Sequence, residues 1–308
     1  MSNPQMAQMT QGAFVVDTSD LRKSYDSVEA LRGLNLQVPP GSIFGFLGKN
    51  GAGKTTTIKV LLGLVQPTSG SARVFGLAAD SQAASVEIRR RTGFVADEKD
   101  LIDQMTVEDI VRFTRRFYPR WRADLEQKYL RKFDLPVLRN VKQLSRGMRT
   151  KLALLLALCR GAELLILDEP TSGLDPAMTE EVLQALVSHV ATEEMTVFFS
   201  SHQIAEVDQI SDRIAIIDRG RALVSGELDD LREKYRRIQF VFDGEAPNHK
   251  FGTRGVERQQ RKGRVISVLA SERVDDIIAE GRVLGATSVD AVRVTLKDIF
   301  LETVAAED

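Results

Sequence analysis

The sequence is poor in cysteine, in histidine and in long apolar runs. Cys159 is the only cysteine among 308 residues, so no intrachain disulfide can form. Three scattered histidines and one cysteine offer no zinc cluster of the usual kind. The longest apolar run, residues 152–159, is far shorter than the roughly 20 residues that span a bilayer. We therefore expect a protein of the cytoplasm, with Cys159 in its core.

The N-terminal residues and the net charge argue against a secreted protein and against a chain that binds nucleic acid through its overall charge. Residues 1–13 have neither a basic start nor an apolar stretch, which predicts a flexible tail and not a secretory signal. The net charge of -1 provides no overall attraction to nucleic acid. Residues 112–151, however, hold thirteen Lys or Arg against three Asp or Glu. Such a segment faces phosphates, an anionic membrane surface or an acidic partner, or it is simply a solvated helical face.

Short β-type runs alternate with helical patterns from about residue 14 to residue 235. Several of the runs are apolar throughout, as buried parallel strands are. This alternation predicts an α/β sheet covered by helices on both faces. The predicted strands are residues 15–17, 34–38, 43–47, 93–96, 164–167, 197–200 and 214–217, and the clearest helices between them are residues 54–64 and 179–190.

Two regions depart from the alternation. Residues 98–160 have helical patterns and little strand character, which predicts a helical insert. Residues 236–308 predict a small α+β domain, in which Thr295 caps the last helix. The insert's helices are expected at 107–117, 124–133 and 145–158. The last domain's elements are expected at 265–269, 274–284, 288–294 and 296–304, after a polar stretch at 245–264.

Residues 48–56 read GKNGAGKTT, which fits the phosphate-binding pattern G-x-x-x-x-G-K-[ST] between a strand and a helix. Gly48, Gly51 and Gly53 allow the backbone to turn its N–H groups toward phosphate oxygens. Lys54 is predicted to reach the β- and γ-phosphates, and the hydroxyl of Thr55 to bind Mg²⁺. The other residues expected to line this site are Asn50, Ala52 and Thr56.

A second acidic motif follows a buried strand. Residues 164–170 read LLILDEP, four apolar residues that end in two carboxylates. Beside a phosphate loop, Asp168 is predicted to hold the Mg²⁺ shell and Glu169 to polarise an attacking water.

Three further motifs occur in a fixed order: LSRGM at 144–148, TSGLD at 171–175 and FFSSH at 198–202. With the two motifs above, residues 14–235 resemble the nucleotide-binding subunit of an ABC transporter. The resemblance implies a P-loop NTPase fold of the ABC ATPase type. That fold has a mixed sheet core and a helical subdomain at about 98–160, here followed by the small α+β domain. It also implies that the chain binds ATP and Mg²⁺ and hydrolyses ATP.

The resemblance assigns roles to single residues. His202 would contact the γ-phosphate and connect it to Glu169, whereas His189 and His249 are expected to be surface residues. Ser145 and Gly147 would face the γ-phosphate held by an opposing subunit, and Asp175 would lie at the dimer interface. These assignments apply to the motif positions in this sequence.

The aromatic that stacks on adenine would be Tyr25, a contact worth roughly 1–3 kcal/mol in nucleic-acid systems. The sequence also departs from the family pattern. Arg146 and Met148 replace a glycine and a glutamine of the signature LSGGQ, and Asp97 stands where the family usually has a glutamine. Asp97 is carried over as a Mg²⁺ ligand, with Glu98 as a substitute one position along.

The resemblance also implies partners: a separate transmembrane permease and a second ATPase subunit, which we expect to be a copy of this chain. The protein would be peripheral on the inner face of the cell membrane. The ending VTLKDIFLE, residues 294–302, and the S-x-G-M signature resemble bacterial exporters of drugs, antibiotic peptides or polysaccharides.

Two alternatives stay open. One is a soluble ABC ATPase that acts on nucleic acid or ribosomes through the basic insert, for which salt-sensitive nucleic-acid binding would be the sign. The other is a nucleotide-gated regulator with little turnover. A single nucleotide-binding domain without a coiled coil argues against the first, so we expect no nucleic-acid partner. Against the second stands the presence of all five expected catalytic and metal-binding residues, Lys54, Thr55, Asp168, Glu169 and His202.

Overall fold

The computed structural model describes residues 14–193 and 195–304, so the tail predicted for residues 1–13 lies outside the described residues. The chain divides into two compact units, Met1–Ala222 and Leu223–Asp308. This division lies upstream of residue 235, where the change in sequence texture places the domain boundary.

The first unit contains nine complete strands and seven α-helices among its described residues. The strands are β1 (Val16–Tyr25), β2 (Val28–Val38), β3 (Ile43–Leu47), β4 (Ser69–Val74), β5 (Leu77–Ala78), β6 (Thr92–Val95), β7 (Leu164–Asp168), β8 (Thr196–Ser201) and β9 (Arg213–Asp218). The helices are α1 (Lys54–Leu61), α2 (Gln82–Arg91), α3 (Val107–Arg115), α4 (Ala123–Lys132), α5 (Arg146–Leu158), α6 (Pro176–Glu193) and α7 (Ile204–Ile210). Strand β10 (Arg221–Glu227) runs across the division.

Five parallel strands lie in the order β9-β3-β8-β7-β6. Every residue of β3, β7 and β8 is buried, as their apolar sequences predict for strands covered on both faces. Because β8 lies between β3 and β7, the loops that follow these three strands leave the same edge of the sheet side by side.

Aromatic packing holds the two central strands together. Phe198 of β8 stacks on Phe44 of β3 at 5.6 Å between ring centroids, and its ring lies 5.1 Å from that of Phe46. All three side chains are almost completely buried. Rings at these separations gain about 0.5–1.5 kcal/mol per pair beyond simple burial, which keeps β3 and β8 in register.

The antiparallel sheet has the order β2-β1-β4-β5. Its β1–β2 hairpin is tied to the glycine loop through Gly220, whose carbonyl accepts a hydrogen bond from the N–H of Arg32 at 2.9 Å. The N–H of Gly220 donates to the carbonyl of Ala52 at 2.9 Å. Gly220 has φ +77°, a backbone angle that glycine adopts without steric cost.

The insert is helical, as predicted, and consists of α3, α4 and α5. Its basic excess is partly neutralised by acidic residues that lie outside residues 112–151. Arg149 forms an ion pair with Asp103 at 2.7 Å, and Lys151 forms one with Glu181 at 2.6 Å. Arg122 is paired with Glu193 in the same way. The count of charges along the sequence therefore overstates the field of this surface.

His189 is not a surface residue, so that prediction was wrong. It is 2% exposed, and its Nδ1 lies 3.2 Å from the hydroxyl of Tyr129 on α4. Burial lowers the pKa of His189 to about 4, since the charged imidazolium is costly in an apolar environment. Cys159 is buried, as expected, and burial raises the pKa of its thiol.

The second unit is a four-stranded antiparallel sheet in the order β12-β13-β11-β14 with helices beside it. Its strands are β11 (Arg236–Val241), β12 (Val256–Lys262), β13 (Val265–Ala270) and β14 (Ser288–Arg293), and its helices are α8 (Leu228–Lys234), α9 (Val274–Val283) and α10 (Leu296–Val304). The predicted cap of α10 is confirmed: the hydroxyl oxygen of Thr295 accepts a hydrogen bond from the N–H of Asp298 at 3.2 Å. Strands β11 and β12 were not anticipated.

Within residues 14–193 and 195–304, the helices are all too short or too polar to reach from one side of a bilayer to the other.

The buried, neutral His189 predicts a pH-dependent stability. Its pKa is lower in the folded chain than in the unfolded chain, so the unfolded chain binds more protons between about pH 6.5 and pH 4. The free energy of unfolding should therefore fall by up to about 3 kcal/mol as the pH drops through this range. Urea unfolding at several pH values should show that the free energy of unfolding depends less steeply on pH for His189→Gln than for the wild type. An equal pH dependence in the two proteins would contradict a buried, neutral His189.

Candidate functional site

The glycine loop after β3 is shaped for a polyanion. Gly51 and Gly53 have φ values of +81° and +108°, which side chains rarely tolerate. A Cβ on Gly53 would lie 2.8 Å from the carbonyl oxygen of Ala30, and one on Gly48 would lie 2.6 Å from that of Ile217. Helix α1 begins directly after this turn, so its N-terminal N–H groups face the loop. The loop thus forms a narrow backbone cradle for phosphate groups.

Lys54 lies inside this cradle. Its ammonium group donates to the carbonyls of Gly48 at 2.7 Å and Lys49 at 3.2 Å. It also lies 3.0 Å from Oε1 of Glu169, with the geometry of an ion pair and not of a hydrogen bond. Both side chains are at most 10% exposed. A buried charge of this kind persists only with its partner, so the pair connects the loop after β3 to the loop after β7.

Asp168, at the end of β7, is also fully engaged. Its Oδ2 accepts a hydrogen bond from the hydroxyl of Thr55 at 2.8 Å, and its Oδ1 accepts one from Ser200 at 2.7 Å. The carboxylate of Asp168 is thus held beside the start of α1, where its Oδ2 and the hydroxyl of Thr55 are in contact. Hard oxygen donors of this kind suit Mg²⁺.

Glu169 is held in a strained backbone conformation, with φ +47°. Its N–H lies 3.2 Å from both the carbonyl and the hydroxyl oxygen of Ser200. Its Oε2 is 2.8 Å from Nδ1 of His202, and the N–H of His202 approaches the same oxygen at 3.4 Å. A strained residue fixed by several contacts is typical of functional sites. The carboxylate is thereby directed between the ammonium of Lys54 and the imidazole.

The structure brings together five of the predicted site residues in one network: Lys54, Thr55, Asp168, Glu169 and His202. Ser200, whose hydroxyl donates to the carboxylate of Asp168 and accepts a hydrogen bond from the N–H of Glu169, was missed. The signal for it was the paired serine in FFSSH, directly before the histidine.

Asp97 lies on an exposed loop after β6. The same loop carries Lys99, which the sequence analysis did not single out. Its ammonium donates to the carbonyl of Asp97 at 2.8 Å. Burial lowers the pKa of Lys99, while the nearby carboxylates of Asp97, Asp168 and Glu169 counteract this effect. The loop thus contributes a cation whose charge interacts with those of the two acidic residues.

The signature residues lie at the start of α5. Ser145 caps this helix, and its Oγ accepts a hydrogen bond from the N–H of Met148 at 3.2 Å. Gly147 is buried against Met178 of α6, and a Cβ at this position would collide with the sulfur. Arg146, which replaces a glycine, reaches the TSGLD loop and donates to the hydroxyl of Ser172 at 3.3 Å.

Asp175 caps the neighbouring helix α6, with Oδ1 accepting a hydrogen bond from the N–H of Met178 at 2.9 Å. The two helix N-termini and their capping residues therefore lie together on one surface. Among the described residues, the polar network around Lys54 does not include this group.

Tyr25 ends β1 and is 42% exposed. The ammonium of Lys23 lies 4.8 Å from the centre of its ring. The hairpin that carries Tyr25 is tied to the glycine loop through Gly220, but the polar network of the loop, as described, does not reach the ring. An exposed aromatic ring at the end of a strand offers a face for stacking.

Comparison with known proteins places the chain in a well-populated group. A family model described as ABC transporter matches residues 31–172. The bacitracin transport ATP-binding protein BcrA of Bacillus licheniformis is 35% identical over 225 residues, which cover 72% of this chain and 73% of the relative. The daunorubicin/doxorubicin resistance ATP-binding protein DrrA of Streptomyces peucetius is 36% identical over 228 residues, covering 72% and 68%.

A solved structure described as the ATP binding subunit of an ABC transporter matches with a TM-score of 0.64 and 28% identity. The match covers 71% of this chain and 92% of the other chain. The α/β fold predicted from the sequence is confirmed by this likeness.

Proposed function

This chain belongs to the ABC transporter ATP-binding family, and on that premise we propose that it hydrolyses ATP with Glu169, Lys54 and His202. Binding and hydrolysis of ATP are the activity of the family. The observation that carries the residue assignment is the buried carboxylate of Glu169, held 3.0 Å from the ammonium of Lys54 and 2.8 Å from the imidazole of His202.

Lys54 has two roles in this proposal. Its ammonium is held inside the cradle by the carbonyls of Gly48 and Lys49. Phosphate oxygens that enter the loop exchange with these carbonyls, because a charged acceptor forms the stronger hydrogen bond. Phosphate oxygens would also compete with Oε1 of Glu169 for the ammonium, and Oε1 would then accept a hydrogen bond from the attacking water. The lysine thereby makes activation of the carboxylate depend on nucleotide binding.

Glu169 acts as the general base or water-positioning group, and His202 keeps it oriented. The imidazole is 42% exposed and lies beside Oε2, so its other nitrogen can reach a γ-phosphate in the cradle. Glycines and helix α1 contribute backbone N–H groups to the phosphates. The lining residues are Gly48, Asn50, Gly51, Ala52, Gly53, Thr55 and Thr56.

The proposed Mg²⁺ site is the contact between Thr55 and Asp168. Both are oxygen ligands, and they already lie 2.8 Å apart, so the residues fit the ion. When bound, Mg²⁺ would neutralise charge that develops on the phosphate oxygens. Asp97 is proposed as a further ligand, and Lys99 beside it would counterbalance the added negative charge.

The remaining assignments concern a second subunit and the base of the nucleotide. ABC ATPase subunits dimerise, and we propose a homodimer in which Ser145 and Gly147 face the γ-phosphate held by the partner. Asp175 would lie at the same interface, and Tyr25 would stack on adenine. The shared surface formed by the start of α5 and α6 supports the first part, because both helix N-termini favour an anion.

Replacing Glu169 by Gln should preserve ATP binding and stop turnover. The amide retains the size and a hydrogen-bond acceptor but accepts no proton, so the ATP-bound dimer should accumulate. A steady-state phosphate-release assay and size-exclusion chromatography with Mg-ATP measure the two effects. Turnover within about twofold of the wild type would remove Glu169 from the water-activating role.

ABC ATPase subunits pair with membrane permeases. The proposed partner here is a polytopic exporter permease, to which this chain binds on the inner face of the cell membrane. Relatives named for bacitracin transport and for daunorubicin and doxorubicin resistance support export. The helical insert supports docking: Phe113 and Phe117 of the α3 region are 41% and 63% exposed and contact each other edge-on at 5.1 Å. Two exposed arginines, Arg115 and Arg116, lie between these phenylalanines in the sequence.

Truncating the two rings should release the partner. Tagged Glu169→Gln protein with Mg-ATP should recover a polytopic membrane protein from detergent-solubilised membranes of the source organism, as identified by mass spectrometry. The same protein carrying Phe113→Ala and Phe117→Ala should lose it while retaining ATP affinity. Val187→Ala, which truncates another exposed apolar side chain, is the matched control and should retain the partner. Recovery of only ribosomal or nucleic-acid material would contradict the proposal.

A further inference from the structure

The buried carboxylate of Glu206 joins two segments of the site that come from different strands. Its Oε2 accepts a hydrogen bond from the hydroxyl of Thr171 at 2.7 Å and another from the hydroxyl of Ser201 at 2.9 Å. Glu206 is 4% exposed, Thr171 is 1% exposed and Ser201 is fully buried. None of the motifs discussed above includes Glu206.

The two hydroxyls are adjacent in sequence to the proposed reacting groups. Thr171 follows Glu169 by two residues, and Ser201 directly precedes His202. A single carboxylate oxygen therefore holds the chain segment of the proposed base and the segment of the histidine. Because the separation of these segments sets the contact between Glu169 and His202, a shift of Glu206 would be transmitted to it.

Helix capping explains only part of this arrangement. Glu206 is the third residue of α7, where an acidic side chain favours the helix N-terminus. Ser201 also accepts a hydrogen bond from the N–H of Gln203 at 2.9 Å, so the serine and the glutamate together order the start of this helix. The bond to Thr171 serves no capping purpose, since that residue follows β7 and not β8.

The energetic cost of burying Glu206 also indicates a role beyond the stability of α7. Oε1 of Glu206 is buried and has no hydrogen-bond partner among the described residues. Burying a carboxylate with one oxygen unsatisfied costs free energy that an apolar side chain would not cost. The backbone of Glu169 is in the left-handed region at φ +47°, and such a strained residue persists only where its surroundings fix it on both sides. Ser200 holds the N–H of Glu169. Glu206 restrains the chain two residues later, through its hydrogen bond to Thr171.

We propose that Glu206 is a positioning residue for ATP hydrolysis, which acts through Thr171 and Ser201 to hold Glu169 and His202 in their mutual geometry. The inference rests on the proposed roles of Glu169 and His202. It predicts that Glu206 affects the chemical step and not the binding of nucleotide, since its hydrogen bonds go to Thr171 and Ser201 and not to the glycine loop or to the hairpin that carries Tyr25.

The test compares Glu206→Ala and Glu206→Gln in the full chain. We expect Glu206→Ala to lower kcat by at least about tenfold, as small misplacements of reacting groups do, with ATP affinity within about twofold of the wild type. Glu206→Gln should recover kcat to within about threefold, because its amide oxygen can accept both hydroxyl bonds. Phosphate release at saturating Mg-ATP gives kcat, and titration with a fluorescent ATP analogue gives affinity.

A matched control distinguishes positioning from general destabilisation. Glu163 precedes β7 at its opposite end and accepts two hydrogen bonds from Arg91, at 3.0 and 2.6 Å. Glu163→Ala also removes a glutamate that is paired with a neighbouring segment, and it should lower the unfolding temperature without changing kcat. A fall in kcat equal to that of Glu206→Ala would overturn the proposal.

Two hydroxyl variants cover the case in which Glu206→Ala does not fold, and a double-mutant cycle extends the test when it does fold. Thr171→Val and Ser201→Ala should each lower kcat, and Thr171→Val should have no added effect in the Glu206→Ala background, since the bond is already absent. If Glu206→Ala is insoluble, unchanged kcat in both hydroxyl variants contradicts the inference.

Parallel measurement of Glu169→Gln distinguishes a failure of the proposed site function from a failure of the positioning role of Glu206. If Glu169→Gln still hydrolyses ATP, the proposed function of the site is wrong. If it stops hydrolysis while Glu206→Ala retains wild-type kcat, the site is as proposed and only the positioning role fails. Loss of ATP affinity in Glu206→Ala by the same factor as kcat would also overturn the positioning role.

Discussion

The ion pair between Lys54 and Glu169 is the contact on which the rest of the site depends. It joins the loop after β3 to the loop after β7, across β8 between them, and both side chains are nearly buried. Neither charge would be stable at this depth without the other. The parallel strands therefore do more than form a core, because their order places opposite charges from distant parts of the sequence within 3.0 Å. Phosphate groups in the loop are the natural competitors for the lysine.

The motifs made much of this site predictable. A phosphate loop, an acidic strand end and a histidine after a third strand are contiguous patterns, and their contacts follow once the strands are parallel neighbours. Strand β3 was predicted with its observed bounds, and so was helix α10, since an apolar run and a capped amphipathic segment are unambiguous.

Other features depend on contacts that no local pattern encodes. His189 was expected at the surface, but it is buried, with its ring 6.0 Å from that of Tyr129 and its Nδ1 3.2 Å from the hydroxyl of Tyr129. Strand β12 is almost entirely polar, so only pairing with β13 identifies it. Lys99 and Glu206 interact with residues of the site only in the folded chain, and no local sequence pattern marks either of them as a site residue. The basic excess of the insert was also misleading, because its acidic partners lie elsewhere in the chain.

These contacts together describe a site in which positioning is distributed over several segments. Ser200 of β8 holds the carboxylate of Asp168 and the backbone N–H of Glu169, and the charge of Lys99, in the loop after β6, interacts with both carboxylates. The signature helix meets the TSGLD loop through Arg146, at a position where the usual family residue is a glycine. A change in any one segment would therefore alter how the others present their groups to nucleotide.

Steady-state ATP hydrolysis by the purified full chain and by Lys54→Ala, each with and without the membrane partner, decides whether the ion pair belongs to a catalytic site. We predict saturable, Mg²⁺-dependent turnover by the wild type and its loss in the variant, because the ammonium proposed to bind phosphate and to restrain Glu169 is gone. Equal turnover by both proteins, or none by the wild type in complex with its partner, would contradict this prediction.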